Sequence, residues 1–499
     1  MFILSLVPDQ KSPMPHLEAP RPATVIDDVR DVLTHPVAPA DFPKSILRYR
    51  NQRWAEGVGL GGLSDDDWVK HFARFEPLEG NLPEPLALAY HGHQFGNYNP
   101  DIGDGRGFLF AQLEDGYGRV LDLATKGSGQ TPWSRFGDGR LTLKGGVREI
   151  LAANMLEALG VYTSKPFSLI ETGEELARND EPSPTRSSVL VRLSHSHIRF
   201  GSFQRLAYLD DKTGMATLIQ HSARRYWPHI EAGSAEDIAP HLLRAVMRAT
   251  ADMIASWMLA GFVHGVMNTD NMTITGESFD YGPWRFIQKS DPNFTAAYFD
   301  SEGRYRFGMQ PGTGLWNIAR LAECLAVVCE PAPLEAVLSE YQTVYGEAFK
   351  KHLFRRLGIA PSGDDQADID FAASLMTWMT DSGARWEQFF FDWFCGAASS
   401  KRASKSPQAD MYNQSGFAAL KERLEGFSPV QADRLDHVFF EDAAPPTLII
   451  EELEALWDGI SQSDDWSEFS RKISKIDQAR TAYRFGAEAR WCKEAGINV

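Results

Sequence analysis

Three polar residues in the stretch HGVMNTDNMTITGESFDYGPW, residues 264–284, have side chains suited to metal binding and proton transfer. Asp270 and Asn271 are adjacent, and Asp280 follows in a second acidic turn. The Asn271 oxygen and the Asp280 carboxylate are hard ligands of the kind that Mg²⁺ and Mn²⁺ prefer, with phosphates and water as further ligands. Asp270 is then free to accept a proton or to position a nucleophile. The alternative interpretation is that both aspartates only begin turns.

The spacing of these residues is typical of a protein-kinase catalytic loop with one change. In loops written H-G-D-x-x-x-x-N, the aspartate follows two residues after the histidine, and the asparagine follows five residues after that. His264 and Asn271 match this spacing, but Val266 stands at the aspartate position, and DYG at 280–282 stands where kinases have DFG. The usual base is therefore missing. The stretch MTITG, residues 272–276, is predicted to form a strand-like hairpin between the two acidic turns.

Two upstream motifs have the chemistry to bind phosphate. GDGRG, residues 103–107, allows backbone N–H groups to approach phosphate oxygens, and Arg106 adds a planar donor. Lys126 ends the second strand of a predicted hairpin. Glu149 lies on the following helix, and kinases use such a Lys–Glu ion pair to hold a phosphate-binding ammonium. An ordinary tight turn and a solvated strand-end lysine are the alternatives.

Hydrophobic periodicity predicts the elements that carry these residues. Strands are predicted at 108–113 and 120–124, paired as a hairpin, and at 167–170 and 189–193. Apolar residues at 147–159 recur at three- and four-residue steps, which predicts a helix that ends before Gly160. Longer helices are predicted at 238–259, 315–328, 334–354 and 369–394.

The order of these elements predicts an α+β fold of the protein-kinase type, with a strand-rich N-lobe that contains one inserted helix and a helical C-lobe. The proline-rich start of the chain predicts an extended arm, and GAASSKRASKSPQ, residues 396–408, predicts an exposed linker or surface loop. We therefore expect an arm at 1–40, an N-lobe at 41–194, a C-lobe at 195–395, and a linker with a helical C-terminal extension at 396–499.

Composition excludes several classes of function. The 499 residues are 43% hydrophobic and 23% charged, which is ordinary for an ordered globular protein. The net charge of −17 disfavours binding to nucleic acid or to anionic membrane surfaces. We expect no signal peptide and no membrane span. Four scattered cysteines are too few for a disulfide framework, so a cytoplasmic location is expected.

These motifs together resemble the selenoprotein O family, also called the YdiU family, of kinase-like proteins that lack the conventional catalytic aspartate. The resemblance covers about residues 90–325 through YHGHQFGNYNPDIGDGRG, LATKGSGQTPWSRFGDGR, VRLSHSHIRFGSF and HGVMNTDN with DYGP. It implies AMP transfer from ATP to Ser, Thr or Tyr hydroxyls of proteins, the enzyme itself being one candidate acceptor. It also implies Mg²⁺ or Mn²⁺ as the metal, and a nucleotide that is flipped relative to ordinary kinases.

The resemblance further implies roles for individual residues. Asp270 would be the proton acceptor, while Asn271 and Asp280 would hold the metal. The implied nucleotide-binding residues are Gly103, Gly105, Arg106, Lys126, Asp138, Gly139, Arg192, Arg199 and Asp280. The lysine and the arginines would concentrate positive charge locally in an acidic protein.

Three functions are left open by the residues themselves. The first is a protein adenylyltransferase, and the second is a conventional phosphotransferase, which Val266 disfavours. The third is an inert nucleotide-binding scaffold, which the Asn271 and Asp280 pair disfavours. One departure from the family concerns its C-terminal redox motif of cysteine or selenocysteine: the chain has EARWCKEAGINV there, and we expect Cys492 to be a buried, inert thiol.

Overall fold

Alternating hydrophobic residues in the first two fifths of the chain form an antiparallel sheet. The computed structural model describes residues 15–179 and 181–494. Its strands are β1 (Arg21–Ala23), β2 (Thr34–Pro36), β3 (Ile46–Arg50), β4 (Leu86–Leu88), β5 (Gly92–Gln94), β6 (Asn97–Asn99), β7 (Leu109–Glu114), β8 (Val120–Lys126), β9 (Leu141–Thr142), β10 (Lys165–Leu176), β11 (Thr185–Ser194), β12 (Phe262–Val263) and β13 (Arg285–Phe286).

The main sheet places two cationic side chains on the same face. Among the described residues it has nine strands, in the order β2-β4-β7-β8-β11-β10-β3, with β1 paired to β7 and β9 paired to β11. The predicted hairpin is confirmed as β7 and β8, which pair antiparallel. Lys126 lies opposite Leu190 and Ala124 lies opposite Arg192. Because side chains alternate along a strand, Lys126 and Arg192 are diagonal neighbours on one face of the sheet.

Helices make up most of the remaining structure. They are α1 (Arg30–Leu33), α2 (Gln52–Gly57), α3 (Asp65–Phe72), α4 (Leu143–Ala158), α5 (Phe200–Tyr208), α6 (Lys212–Tyr226), α7 (Ala235–Leu259), α8 (Gln310–Leu325), α9 (Pro331–Ser339), α10 (Tyr341–Leu357), α11 (Asp365–Ser382), α12 (Trp386–Asp392), α13 (Ser400–Ala403), α14 (Ala409–Tyr412), α15 (Ser415–Gly426), α16 (Ile450–Ser463), α17 (Ser467–Tyr483) and α18 (Ala487–Glu494). Across the described ranges, every helix is too short or too polar to span a bilayer.

Helix α4 is the predicted helix between the strands. The Thr142 side chain caps its first turn by accepting a hydrogen bond from the Gly145 N–H. The helix ends before Gly160, whose φ of 84° is the left-handed conformation that glycine adopts without strain. Its buried face packs on β10 and β11, while α17 packs against it from the C-terminal part of the chain. Helix α4 is thereby fixed relative to the strand that carries Arg192.

Two predicted helices are each divided in the structure. The predicted helix at 334–354 is two helices, α9 and α10, which meet at Glu340. The prediction missed this break because the apolar spacing continues across it. The prediction at 369–394 becomes α11 and α12. They are separated at Gly383, whose φ of 64° ends a right-handed helix.

The predicted extended arm and the predicted linker also differ from the structure. Residues 1–14 of the expected arm lie outside the described residues, but residues 21–36 form β1, a 3₁₀ turn, α1 and β2 rather than an extended arm. Ile26 and Leu33 enter the main hydrophobic core. The expected linker at 396–408 folds into a 3₁₀ turn and α13, with Ala403 buried, so its Ser- and Lys-rich composition reflects one exposed side of a packed segment.

Candidate active site

A cavity of about 620 Å³ opens between the sheet and the turn that carries Asp270 and Asp280. Its walls come from the GDGRG loop, the ends of β8 and β11, and a loop after β8. The lining residues are Tyr90, Gln94, Ile102, Gly103, Asp104, Gly105, Arg106, Gly107, Thr125, Lys126, Trp133, Ser134, Arg135, Phe136, Gly137, Asp138, Gly139, Arg140, Ala177, Arg178, Arg192, Arg199, Asp270 and Asp280. The volume is in the range of small-molecule sites.

Two cations and two carboxylates alternate at the inner end of this cavity. Lys126 Nζ lies 2.6 Å from Glu149 Oε2 and 2.6 Å from Asp280 Oδ1. Arg192 Nη1 lies 3.1 Å from Glu149 Oε1 and 3.2 Å from Asp280 Oδ1. Burial alone would raise the pKa of Asp280, but Lys126, Arg192 and Arg199 lower that pKa well below its usual range. Asp280 is therefore a carboxylate at neutral pH.

The turn between Asn271 and Asp280 is not the strand-like hairpin that the MTITG stretch predicts. Single bridges join Thr273 to Arg199 and Ser278 to Thr163, because the alternating apolar residues pack into the core instead of pairing with each other. Asp280 has a φ of 61°, a left-handed conformation that is uncommon for a residue other than glycine. Such conformations concentrate at functional sites.

The C-terminal helix braces this turn from behind. The indole Nε1 of Trp491, on α18, donates a hydrogen bond of 2.8 Å to the Thr275 carbonyl oxygen. The Trp491 ring stacks on Tyr162 at 5.4 Å between ring centroids and meets the edge of His195. The neighbouring Cys492 is buried, and burial raises the pKa of its thiol to about 11.

Asp270 is another carboxylate that lines the cavity, and it is largely buried. Its exposed fraction is 8%, and burial raises its pKa to about 6 against the opposing effect of Arg199. Gln94 Nε2 donates a hydrogen bond of 3.5 Å to Oδ2, whereas Oδ1 has no hydrogen-bond partner among the described residues. A Cβ at Gly92 would lie 2.9 Å from Oδ1, so glycine makes room for the carboxylate there. Asp270 thus has one free buried oxygen.

The β5–β6 hairpin holds the Asp270 turn from the opposite side. The His93 N–H donates to Thr269 Oγ1 at 2.7 Å. The Phe95 N–H donates to Asn268 Oδ1 at 3.1 Å. Asn99 Nδ2 donates to Gln94 Oε1 at 3.0 Å, which orients the Gln94 amide toward Asp270. Backbone and side-chain groups of one hairpin thereby fix successive residues of the turn.

Arg199 connects the same turn to the GDGRG loop. Its Nη1 donates to the Asp270 carbonyl oxygen at 3.0 Å, and its Nη2 donates to Asp104 Oδ1 at 3.1 Å. The guanidinium carbon lies 4.3 Å from the Tyr90 ring centroid. Arg199 therefore contributes positive charge to the cavity and also orders its walls.

The glycines of the GDGRG loop allow close packing on Trp133. A Cβ at Gly103 would come within 2.4 Å of the indole, and one at Gly105 would lie 3.1 Å from the Trp133 carbonyl oxygen. Arg106 is exposed at the cavity mouth. These glycines have no positive φ, so they are needed for space rather than for a special turn.

The loop after β8 supplies Asp138 and Gly139. Gly139 has a φ of 71°, and a Cβ there would clash with the Gly129 backbone at 2.3 Å. Asp138 Oδ2 accepts a hydrogen bond of 2.8 Å from Arg178 Nη1. Burial would raise the Asp138 pKa, but Arg178 and the Arg140 N–H lower it overall. Asp138 is thus a paired carboxylate at the cavity rim.

Asn271 and Glu149 are set back from the cavity surface. Asn271 Nδ2 donates to the Val266 carbonyl oxygen at 2.9 Å, so the amide oxygen is the atom that remains for a metal. Neither residue is among those that line the cavity. The other predicted site residues all face the same space.

Residues 22–477 match the sequence family described as Protein adenylyltransferase SelO. The chain belongs to the SelO family. It is 41% identical over 455 residues to the protein nucleotidyltransferase YdiU of Synechocystis sp., covering 88% of this chain and 94% of that protein. It is 40% identical over 470 residues to the same-named protein of Gloeobacter violaceus, covering 91% and 93%. A 325-residue region is 50% identical to the YdiU protein of Synechococcus elongatus, with 65% of each chain covered.

Three residues that line the cavity were not predicted as site residues from the sequence. Gln94, Trp133 and Tyr90 line the cavity but carry no charge, so residue chemistry alone does not select them. Their place in the sequence could have indicated them. Gln94 and Tyr90 belong to the YHGHQFGNYNPDIGDGRG motif, and Trp133 belongs to LATKGSGQTPWSRFGDGR.

Proposed function

We propose that this SelO-family protein transfers AMP from ATP to Ser, Thr or Tyr hydroxyls of proteins and releases pyrophosphate. One observation carries the proposal beyond the family description. Asp270 lines the cavity together with Lys126 and Arg192, and one oxygen of its buried carboxylate has no hydrogen-bond partner among the described residues. A candidate proton acceptor and candidate phosphate-binding cations thus line one space of small-molecule size.

In the proposed reaction, Asp270 accepts the proton and the cationic side chains bind the phosphates. The acceptor hydroxyl gives its proton to Asp270 as its oxygen bonds to the α-phosphorus of ATP. The bond from that phosphorus to the β-phosphate bridging oxygen breaks, and pyrophosphate leaves. Arg106, Lys126, Arg192 and Arg199 bind and orient the phosphates, and the GDGRG loop offers backbone N–H groups to them. Val266, in place of an aspartate, leaves Asp270 as the base.

The residues present fit a divalent cation, Mg²⁺ or Mn²⁺. Asp280 is ionised, and the Asn271 amide nitrogen is engaged by Val266, which leaves its oxygen as a ligand. Within the described ranges no three His, Cys, Asp or Glu side chains gather as a metal cage, so ATP phosphates and water would supply the other ligands. When bound, the cation neutralises phosphate charge.

The architecture supports a kinase-like division of labour. In this proposal residues 41–194 form the N-lobe and residues 195–395 form the C-lobe, with the nucleotide between them. The region after residue 395 supports the C-lobe and braces the turn of Asp280. Four free, buried cysteines suit a reducing compartment such as the cytoplasm.

Parallel reactions with α-labelled and γ-labelled ATP test the function. We expect α-label on protein, pyrophosphate release, and an added AMP group by mass spectrometry, all reduced about 100-fold or more in Asp270→Asn. Transfer of γ-label with ADP release would establish a kinase instead. Absence of both labels with Mg²⁺ and with Mn²⁺, while ATP still binds, would establish a nucleotide-binding scaffold.

A further inference from the structure

Two adjacent aromatic side chains are exposed close to the active site. Tyr298 is 87% exposed and Phe299 is 50% exposed. Their rings touch edge to face at 5.1 Å between centroids, and Phe299 contacts Phe95 in the same way at 5.6 Å. We call Phe95, Tyr298 and Phe299 the aromatic platform. Single exposed apolar residues are common, but contiguous aromatic surface marks an interaction site.

The aromatic platform is connected to the Asp270 turn by direct contacts. The Phe95 ring lies 4.8 Å from the Tyr305 ring, between centroids. The Tyr305 hydroxyl donates to Asn268 Oδ1 at 2.8 Å, and the Phe95 N–H donates to the same oxygen at 3.1 Å. Asn268 stands two residues before Asp270. A chain segment bound on the platform would therefore lie beside the turn that carries Asp270.

Two arginines next to the platform have no acidic partner. Among the described residues, no carboxylate lies within 4.0 Å of the guanidinium of Arg304 or of Arg306, and both side chains are half-buried. The Arg304 guanidinium rests against the Trp316 ring at 4.8 Å. The buried Asp300 carboxylate accepts hydrogen bonds from the backbone N–H groups of Arg304 and Tyr305. These backbone groups, and neither guanidinium, stabilise its charge. Exposed acids of the same loop are Glu302 and Asp291.

Arg306 Nη1 donates a hydrogen bond of 3.0 Å to the Gly303 carbonyl oxygen, but neither arginine has a carboxylate partner among the described residues, which is notable on a protein whose net charge is −17. Arginine stems cover apolar surface while their guanidiniums bind carboxylates with two hydrogen bonds. The combination of exposed aromatic rings and guanidiniums that lack a carboxylate partner is complementary to an acidic segment that also carries apolar side chains.

We propose that the aromatic platform, together with Arg304 and Arg306, docks an extended acidic segment of the acceptor protein and delivers its hydroxyl to Asp270. The inference rests on the proposed AMP transfer and adds the class of acceptor. Apolar side chains of the segment contact Phe299 and Tyr298. Its carboxylates pair with the arginines. A basic segment would instead place its positive charges beside the arginines, which disfavours its binding.

Direct binding of two synthetic peptides tests the docking without requiring catalysis. Both are short, fluorescent and centred on one serine, with leucines and glutamates in the first and leucines and lysines in the second. In the presence of α,β-methylene-ATP and Mg²⁺, fluorescence anisotropy should show about tenfold tighter binding of the acidic peptide. Tyr298→Ala with Phe299→Ala should weaken that binding about tenfold, and Arg306→Gln should reduce the preference for acid over base.

Two control variants test whether a loss of peptide binding is specific to the platform and its arginines. Val438→Ala removes another exposed apolar side chain, 58% exposed, and Arg248→Gln removes an exposed arginine on α7, so neither should change peptide binding. Equal binding of both peptides, or unchanged binding by the platform variants, would overturn the docking proposal. So would sedimentation data showing that the platform variants abolish self-association, because the platform would then be a subunit interface.

The two proposals fail in different ways. If the acidic peptide binds through the platform but α-labelled ATP labels neither peptide nor protein, the docking surface stands and AMP transfer is wrong. If label is transferred equally by the parent protein and by the platform variants, with the same KM for the acidic peptide, AMP transfer stands and the docking surface is wrong.

Discussion

Lys126 on strand β8 and Glu149 on helix α4 form a buried ion pair, with 2.6 Å between Nζ and Oε2. Arg192, the diagonal neighbour of Lys126 on the next strand, contacts the other Glu149 oxygen. One carboxylate therefore contacts both of these cations, which line the cavity. Because an unpaired buried charge is costly, the positions of α4, β8 and β11 are coupled through this residue.

The first prediction is that Glu149→Gln weakens ATP binding about tenfold, because neither cation keeps its ionic partner on α4. Lys144→Ala is a matched control on the same helix, since Lys144 pairs at the surface with Glu454. Calorimetric titration with ATP and Mg²⁺ measures both dissociation constants. Equal constants for the parent protein and Glu149→Gln would show that Glu149 does not position the phosphate site.

The second prediction separates the two aspartates of the site. Asp280→Asn should remove most of the Mg²⁺ dependence of ATP binding, because an amide is a weaker ligand than a carboxylate. Asp270→Asn should keep that dependence and reduce AMP transfer by about 100-fold or more, because the base is lost. Titrations with and without Mg²⁺, paired with α-label transfer, make the comparison. Metal dependence that survives in Asp280→Asn would refute its role as a ligand.

The third prediction concerns Gln94, which we assign as a positioning residue because it orients Asp270. Gln94→Ala should lower kcat about tenfold while the dissociation constant for ATP stays unchanged. Asn99→Ala should have a smaller effect in the same direction, since Asn99 orients the Gln94 amide. The exposed Asn97 of the same hairpin provides the control variant Asn97→Ala. A change in ATP affinity without a change in kcat would contradict this assignment.

The fourth prediction concerns stability and pH. Burial raises the pKa of Glu277 from 4.5 to about 7, against the opposing charge of Lys165. A carboxyl group whose pKa is higher in the folded state than in the unfolded state stabilises folding at low pH, and this contribution declines as pH rises from about 4.5 to about 7. The resulting change in the free energy of unfolding is on the order of 3 kcal/mol.

Glu277→Gln tests this directly because a Gln oxygen can still accept the His195 N–H that Glu277 accepts at 2.8 Å. We expect urea unfolding midpoints of the variant and the parent to be similar near pH 5, and the variant to be more stable near pH 8. Parallel pH profiles for the two proteins would show that Glu277 titrates normally.

The fifth prediction is that Cys492→Ala retains AMP transfer within about twofold of the parent protein. The thiol is buried and its pKa is raised to about 11, so the reactive thiolate is scarce at neutral pH. Thiol reagents should accordingly modify Cys492 slowly in the native protein and quickly in urea. A large loss of activity on substitution, with the unfolding midpoint unchanged, would indicate a chemical role.

Local sequence patterns predicted the parts of the fold that local forces determine. The β7–β8 hairpin follows from alternation around a turn, and α4 follows from its apolar stripe and Gly160. The proximity of Lys126 to Glu149 also followed, because a strand end and the next helix need only one packing contact to meet.

Contacts between distant segments were not predictable in the same way. Gln94 meets Asp270 across 176 residues of sequence, and the pairing leaves no periodic signal. The break between α9 and α10 at Glu340 was also missed, since apolar spacing alone does not show where a helix axis changes direction. The burial of Ile26 and Leu33 in the described part of the expected arm was obscured by the surrounding prolines, which suit short edge strands as well as extended arms.

The hydrogen bond from Trp491 to the Thr275 carbonyl joins residues 216 positions apart and has a consequence for biosynthesis. Translation proceeds from the N-terminus, and domains fold as their residues emerge. The cation-bearing sheet and the Asp270 turn are therefore made long before α18. A nascent chain can bury much of its core while the loop leading to Asp280 still lacks its brace, so catalytic competence should arise only after α18 has been made and packed.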